Sequence, residues 1–66
     1  MRQQLHRANL YVTEEQLATQ AGYRAALMLA AIENGDMRRA EEHAQVYYRT
    51  QAQLCRVRIL LLQDED

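Results

Sequence analysis

The sequence predicts an all-α protein built as one antiparallel two-helix hairpin. Three observations carry this. The 66-residue chain holds no proline, so nothing in it breaks a long helix by chemistry alone. Its apolar residues recur at helical spacing through most of the chain. One strong break signal, Asn34-Gly35-Asp36, falls near the middle: glycine tolerates the left-handed conformation that closes a helix, and Asp36 is a good N-cap for the next one. Residues 1–66 therefore form a single domain, with helix one over 13–34, the turn at 35–36 and helix two over 37–62.

Helix one has a local start signal. Thr13-Glu14-Glu15-Gln16 fits a capping box, in which the Thr13 hydroxyl and the Gln16 amide each reach an orphan backbone amide. Val12 and Leu17 stand at the staple positions on either side, and Glu14 and Glu15 suit the positive end of the helix dipole. The stripe Leu17, Ala21, Ala25, Met28 and Ile32 steps by four, four, three and four residues, and Ala18, Ala26, Leu29 and Ala30 widen it. Gly22, inside this helix, costs about 1 kcal/mol relative to alanine; close approach of another helix is the expected reason for it. Residues 1–12 read as a frayed or short N-terminal helix that Asn9 could end, packing only when a partner is present.

Helix two carries the stripe Met37, Ala40, Ala44, Tyr47, Leu54 and Leu61, beside a second stripe of Tyr48, Ala52, Cys55, Ile59 and Leu62. Its last turns are apolar nearly all round, the mark of a buried helix. Ile59, Leu60, Leu61 and Leu62 step around the whole circumference, so at least one must point away from helix one. With these boundaries helix two exceeds helix one by about five residues and projects by about 7 Å. Arg38 and Arg39 in its first turn and the acidic tail at 63–66 both oppose the helix dipole.

A chain this short is marginal, burying only about 60% of the surface its unfolded form exposes. Disulfides, a metal or association usually supply the remainder. Cys55 is the single cysteine, so no disulfide closes within the chain. His6, His43 and Cys55 do not stand at ligand spacing from one another, so no metal is expected. Completion by dimerisation or by a partner protein remains.

The same residues exclude several function classes. There is no serine or lysine, and no constellation of nucleophile, base and orienting group. Cys55 is expected to be an inert thiol in the apolar part of helix two, and His43 an exposed helix residue. No catalytic, cofactor or metal residues are assigned, and no enzyme activity is expected. The longest apolar run is four residues, far short of the roughly 20 that span a bilayer. MRQQLHR opens the chain with no apolar stretch after it, so no signal peptide is expected. A lone thiol suits a reducing compartment, and the expected location is the cytoplasm.

All eight basic residues are arginine, against nine acidic ones, for a net charge of −1. Arg38, Arg49 and Arg56 share one arc, but Glu42 lies within it and the stripe is thin. Nucleic acid is therefore not the expected partner, since phosphate binding calls for a denser basic patch. The candidate partner-binding residues are Tyr47, Tyr48, Leu54, Ile59, Leu60 and Leu62. For the two tyrosines, packing in the hairpin seam with the hydroxyls at its rim and anchoring of an interface stand as equal readings.

Three resemblances follow from these residues. The stretch ALMLAAIENGDMRRAEEHAQVYY resembles one tetratricopeptide-type hairpin, with Ala25, Ala30, Gly35-Asp36 and Ala40 in place. It lacks that repeat's tryptophan and proline, and one repeat alone is not stable, so the likeness reads as convergence on helix-pair packing. Over most of its length the chain resembles the small co-chaperone of type III secretion needle subunits. Gly35 at the turn, Tyr47 or Tyr48 in helix two, and Ile59, Leu60 and Leu62 before a short acidic end carry that likeness. It implies a cytoplasmic helical hairpin that pairs with a tetratricopeptide-fold chaperone and keeps the needle subunit monomeric. The length and acidic end are also similar to those of the plasmid-encoded repressor-of-primer hairpins, which implies the alternative of a homodimeric four-helix bundle with a regulatory, RNA-binding role.

Overall fold

The computed structural model describes the backbone of residues 2–63 and the side chains of residues 6–63. It is all-helical. Helix α1 runs over Arg2–Glu33 and helix α2 over Met37–Gln63, and the two pack against each other as an antiparallel hairpin. The Cα trace measures 51 × 14 × 12 Å, a rod one helix pair wide. The acidic residues 64–66 lie outside the described residues.

The turn is built as its residues dictate. Gly35 has φ 74°, a conformation that costs any residue with a Cβ. Its amide donates to the Ile32 carbonyl at 3.0 Å, and the Asp36 amide donates to the Ala31 carbonyl at 2.9 Å. This pair of bonds is a Schellman motif, and it satisfies two carbonyls that the end of α1 would otherwise leave open. Asp36 then opens α2: its Oδ1 accepts from the Arg39 amide at 3.1 Å, which is N-capping geometry.

The start of α1 departs from the local signal. The helix passes through Thr13 without a break and begins at Arg2 instead, so the capping box is unused and Asn9 ends nothing. The reason is tertiary. Leu10 is buried, and Arg7 donates from Nη1 to the Leu61 carbonyl at 3.3 Å, so these two residues before Thr13 tie the helix to the far end of α2. Glu14, Glu15 and Gln16 are compatible with a helix interior as well as with its first turn, and burial decides between the two.

The relative lengths change accordingly. Helix α1 has 32 residues and α2 has 27, so α2 does not project beyond its partner. Leu61, in the run expected to overhang, is only 7% exposed.

The seam between the helices alternates three- and four-residue steps. On α1 the central seam positions, all buried or half-buried, run Arg7, Leu10, Glu14, Leu17, Ala21, Arg24, Met28 and Ala31, with half-buried Ala25 and Leu27 at its edges. On α2 they run Ala40, His43, Tyr47, Thr50, Leu54, Val57 and Leu61, with half-buried Ala44, Val46 and Gln51 at its edges. A mean repeat of 3.5 residues is that of a left-handed coiled coil. The α1 stripe expected from apolarity drifts off this seam. Ile32 and Leu29 end up exposed, as does Met37 on α2, while polar Thr50 is buried.

Candidate interaction face

Three cross-helix contacts fix the register. Arg7 reaches the backbone of Leu61, Glu14 Oε2 accepts from Arg58 Nε at 3.2 Å, and Arg24 Nη1 stands 3.1 Å from His43 Nδ1. Each step forward along α1 is thus matched by a step back along α2. The Glu14–Arg58 ion pair is partly open to water, where such a pair contributes at most about 1 kcal/mol. It aligns the helices more than it stabilises them.

The seam leaves two flanks. One is marked by a shallow recess between the helices, lined by Leu27 and Ala31 of α1 and by Arg39 and His43 of α2. Leu27 and Arg39 each precede a seam residue, Met28 and Ala40. The residues that follow seam positions must then line the opposite flank: Tyr11, Ala18, Ala25 and Ile32 on α1, and Met37, Ala44, Gln51 and Arg58 on α2. Ala25 and Ala44 are half-buried there, as expected of the inner edge.

Just outside this inner row lie Glu15, Gly22 and Leu29 on α1 and Glu41, Tyr48, Cys55 and Leu62 on α2, all exposed. Inner and outer rows again alternate three- and four-residue steps. The open flank thus forms a second, mixed heptad seam: Glu15, Glu41, Gln51 and Arg58 interrupt its apolar residues, and apart from half-buried Ala25, Ala44 and Gln51 at its inner edge the hairpin leaves it exposed. Tyr48 and Leu62 are both 68% exposed. Apart from its own helix's backbone and adjacent residues, no heavy atom lies within 4 Å of where a Cβ on Gly22 would stand, so the close approach expected at this glycine is not supplied by α2.

The expected partner-binding residues divide between the two seams. Leu54 is 3% exposed; it is a core residue of the hairpin and is not available on the surface. Tyr47 is half-buried in the seam, its hydroxyl accepting from Gln51 Nε2 at 2.9 Å at the rim. Tyr48 projects outward, with its ring edge-on to Tyr47 at 5.5 Å. In the closing run Leu61 alone turns into the seam, and Ile59, Leu60 and Leu62 face outward. Gly35 and Asp36 form the turn.

Two chemical expectations change. Cys55 is exposed, because its position on α2 belongs to the second seam. His43 is half-buried against Arg24 rather than exposed. Sequence reasoning missed Leu10, Arg24 and Thr50 as seam residues. The signal for them was the strict alternation of three and four residues, which places a polar residue at a buried position whenever the heptad demands it.

The described residues contain no group of three or more His, Cys, Asp or Glu able to hold a metal ion. Among them, no helix is long and apolar enough to cross a membrane. No protein-family model, curated protein or solved structure matches the chain.

Proposed function

We propose that the chain works by binding another protein through the open flank of the hairpin, with no chemistry of its own. The observation that carries this reading is the second heptad seam. A helix that faces water on all sides but one needs a single apolar stripe, and here Tyr11, Leu29 and Ile32 of α1 and Met37, Tyr48 and Leu62 of α2 stand exposed beyond the seam. An uncovered apolar strip flanked by polar residues marks an interaction surface. Tyr48 at its middle is the residue type enriched at interface hot spots.

On this reading the chain is a component of a cytoplasmic chaperone assembly of the type III secretion kind. A tetratricopeptide-fold partner would bury the Tyr48–Leu62 strip, and the complex would hold an aggregation-prone needle subunit soluble until export. The resemblance at Gly35, Tyr47 or Tyr48, Ile59, Leu60 and Leu62 supports this choice of partner. The alternative, a regulatory homodimer that binds RNA, draws less support from the surface. Glu42 stands within the same arc, 3.9 Å from Arg38, and lowers the net positive charge of that surface.

The test is co-purification from the native host with wild-type bait, Tyr48→Asp bait and Leu62→Asp bait. A protein retained by wild type and lost from both variants, with their helicity kept, supports the reading. Identical retention by all three, or retention of nothing, sinks it.

A further inference from the structure

We infer that the open flank also closes on a second copy of this chain, in the register that sets Tyr48 of one copy on Gly22 of the other. The inference rests on the protein-binding reading of that flank and names one occupant for it.

The hairpin's own contacts bring Gly22 level with Tyr48, Ala25 with Ala44, Ile32 with Met37 and Ala8 with Leu62. These residues lie on the same flank of their respective helices. Rotate a second hairpin by a two-fold axis parallel to the helices and lay it on that flank. Each α1 then lies antiparallel along the other copy's α2, at the heights it already has, and the level pairs become facing pairs.

Those pairs are complementary in size. Tyr48, the bulkiest exposed side chain of the α2 strip, meets the smallest part of the α1 strip, where Ala18, Gly22 and Ala25 leave open space. Leu62 meets Ala8, and Ile32 meets Met37. Two helices approach closely where their facing residues are small, and a large side chain fills the hole so made, as knobs fill holes in a coiled coil. A glycine that costs its helix about 1 kcal/mol thereby acquires a packing reason, which the hairpin alone does not give.

Charge agrees with this register. Glu15 is the one acidic residue in the middle of the α1 strip. Arg58, with a side chain 54% exposed, falls between Tyr11 and Glu15 of the other copy. There its guanidinium, already paired with Glu14 of its own copy, can share a second carboxylate across the interface.

The area also suffices. A face 51 Å long and 14 Å wide covers on the order of 700 Å2 per copy, about 1,400 Å2 for the pair, within the ~1,200–2,000 Å2 of stable interfaces. The isologous contact closes the assembly at two copies.

Cys55 reports on the register. It lies level with Glu15, so the two face each other across the two-fold interface, whereas Cys55 does not face its own copy. The experiment combines sedimentation of the purified chain at micromolar concentration with mild oxidation of Glu15→Cys. The expected result is a dimer whose Glu15→Cys form becomes a covalent dimer, with peptide mapping showing position 15 joined to Cys55 of the other chain. Wild type and the double variant Glu15→Cys, Cys55→Ser should stay uncrosslinked. Gly22→Leu, placed where the hairpin has room, should keep its helicity and become monomeric.

A chain monomeric throughout the micromolar range overturns the inference. So does a Cys55–Cys55 crosslink in wild type, a crosslink between two copies of position 15, or a dimer unaffected by Gly22→Leu. A monomer that still holds a partner through Tyr48 and Leu62 removes the second copy and leaves the protein-binding reading intact. A dimer in this register with no other partner supports the inference while removing that reading's heteromeric assembly.

Discussion

Arg24 on α1 and His43 on α2 face each other across the seam, with Nη1 3.1 Å from Nδ1. A guanidinium has only donors, so the imidazole nitrogen is the acceptor and any ring proton sits on Nε2. Both residues occupy heptad positions that a coiled coil usually fills with aliphatic side chains. The contact satisfies polar groups at a half-buried site, and it orients α1 against α2 about two helical turns from the loop.

The expected coupling between the two is modest. A double-mutant cycle with Arg24→Ala and His43→Ala should return an interaction energy of about 0.5–1.5 kcal/mol from thermal or urea unfolding, the usual net worth of a hydrogen bond. Strict additivity of the two single changes would show that the pair is a neighbour contact without energetic weight.

The two glycines should respond in opposite senses. Gly35→Ala forces a Cβ into a φ of 74° and should destabilise the hairpin by about 1–2 kcal/mol. Gly22→Ala meets open space within the hairpin and should stabilise the dilute, unassociated chain by up to about 1 kcal/mol. Unfolding at low protein concentration reads both. A loss of stability at Gly22→Ala under those conditions would mean that a neighbour within the hairpin already occupies the space.

The N-terminal stretch gives a third test. Since α1 runs through Thr13, the amides of Glu14, Glu15 and Gln16 are interior helix amides. They should exchange as slowly as those of Leu17 and Ala18. Leu10→Ala should cost about 2–4 kcal/mol, the range for a buried leucine. Fast exchange at Glu14 to Gln16 together with a neutral Leu10→Ala would restore a helix that starts at Thr13.

Much of this was legible from the residues. The turn was, because Gly35 and Asp36 have local roles that tertiary structure did not change. Tyr48, Cys55 and Leu62 of the open flank were also legible, as members of the unbroken apolar stripe Tyr48, Ala52, Cys55, Ile59 and Leu62, whose Ala52 and Ile59 turn further outward. The capping box at Thr13 misled because a cap is a local preference of about 1 kcal/mol, and burial of Leu10 outweighs it. The seam was only half visible. Its polar members Arg24, His43 and Thr50 carry no apolar signal, and the apolar residues Leu29, Ile32 and Met37 that drew the eye belong to the second face. Leu54 reads as a partner residue in sequence because the sequence does not say which of two apolar stripes meets α1.

The central claim is that the Tyr48–Leu62 strip is open in the isolated hairpin and covered in its working assembly. The rate of maleimide alkylation at Cys55 measures this most directly, because the chain has one cysteine and it stands in the middle of that strip. In dilute solution Cys55 should react at the rate of a free peptide thiol. In the assembled state, whether a two-copy dimer or a complex with a captured partner, the rate should fall at least tenfold, and Tyr48→Asp should restore it. An alkylation rate that is equally fast in the isolated and assembled chain, or already slow in the dilute monomer, would contradict the account.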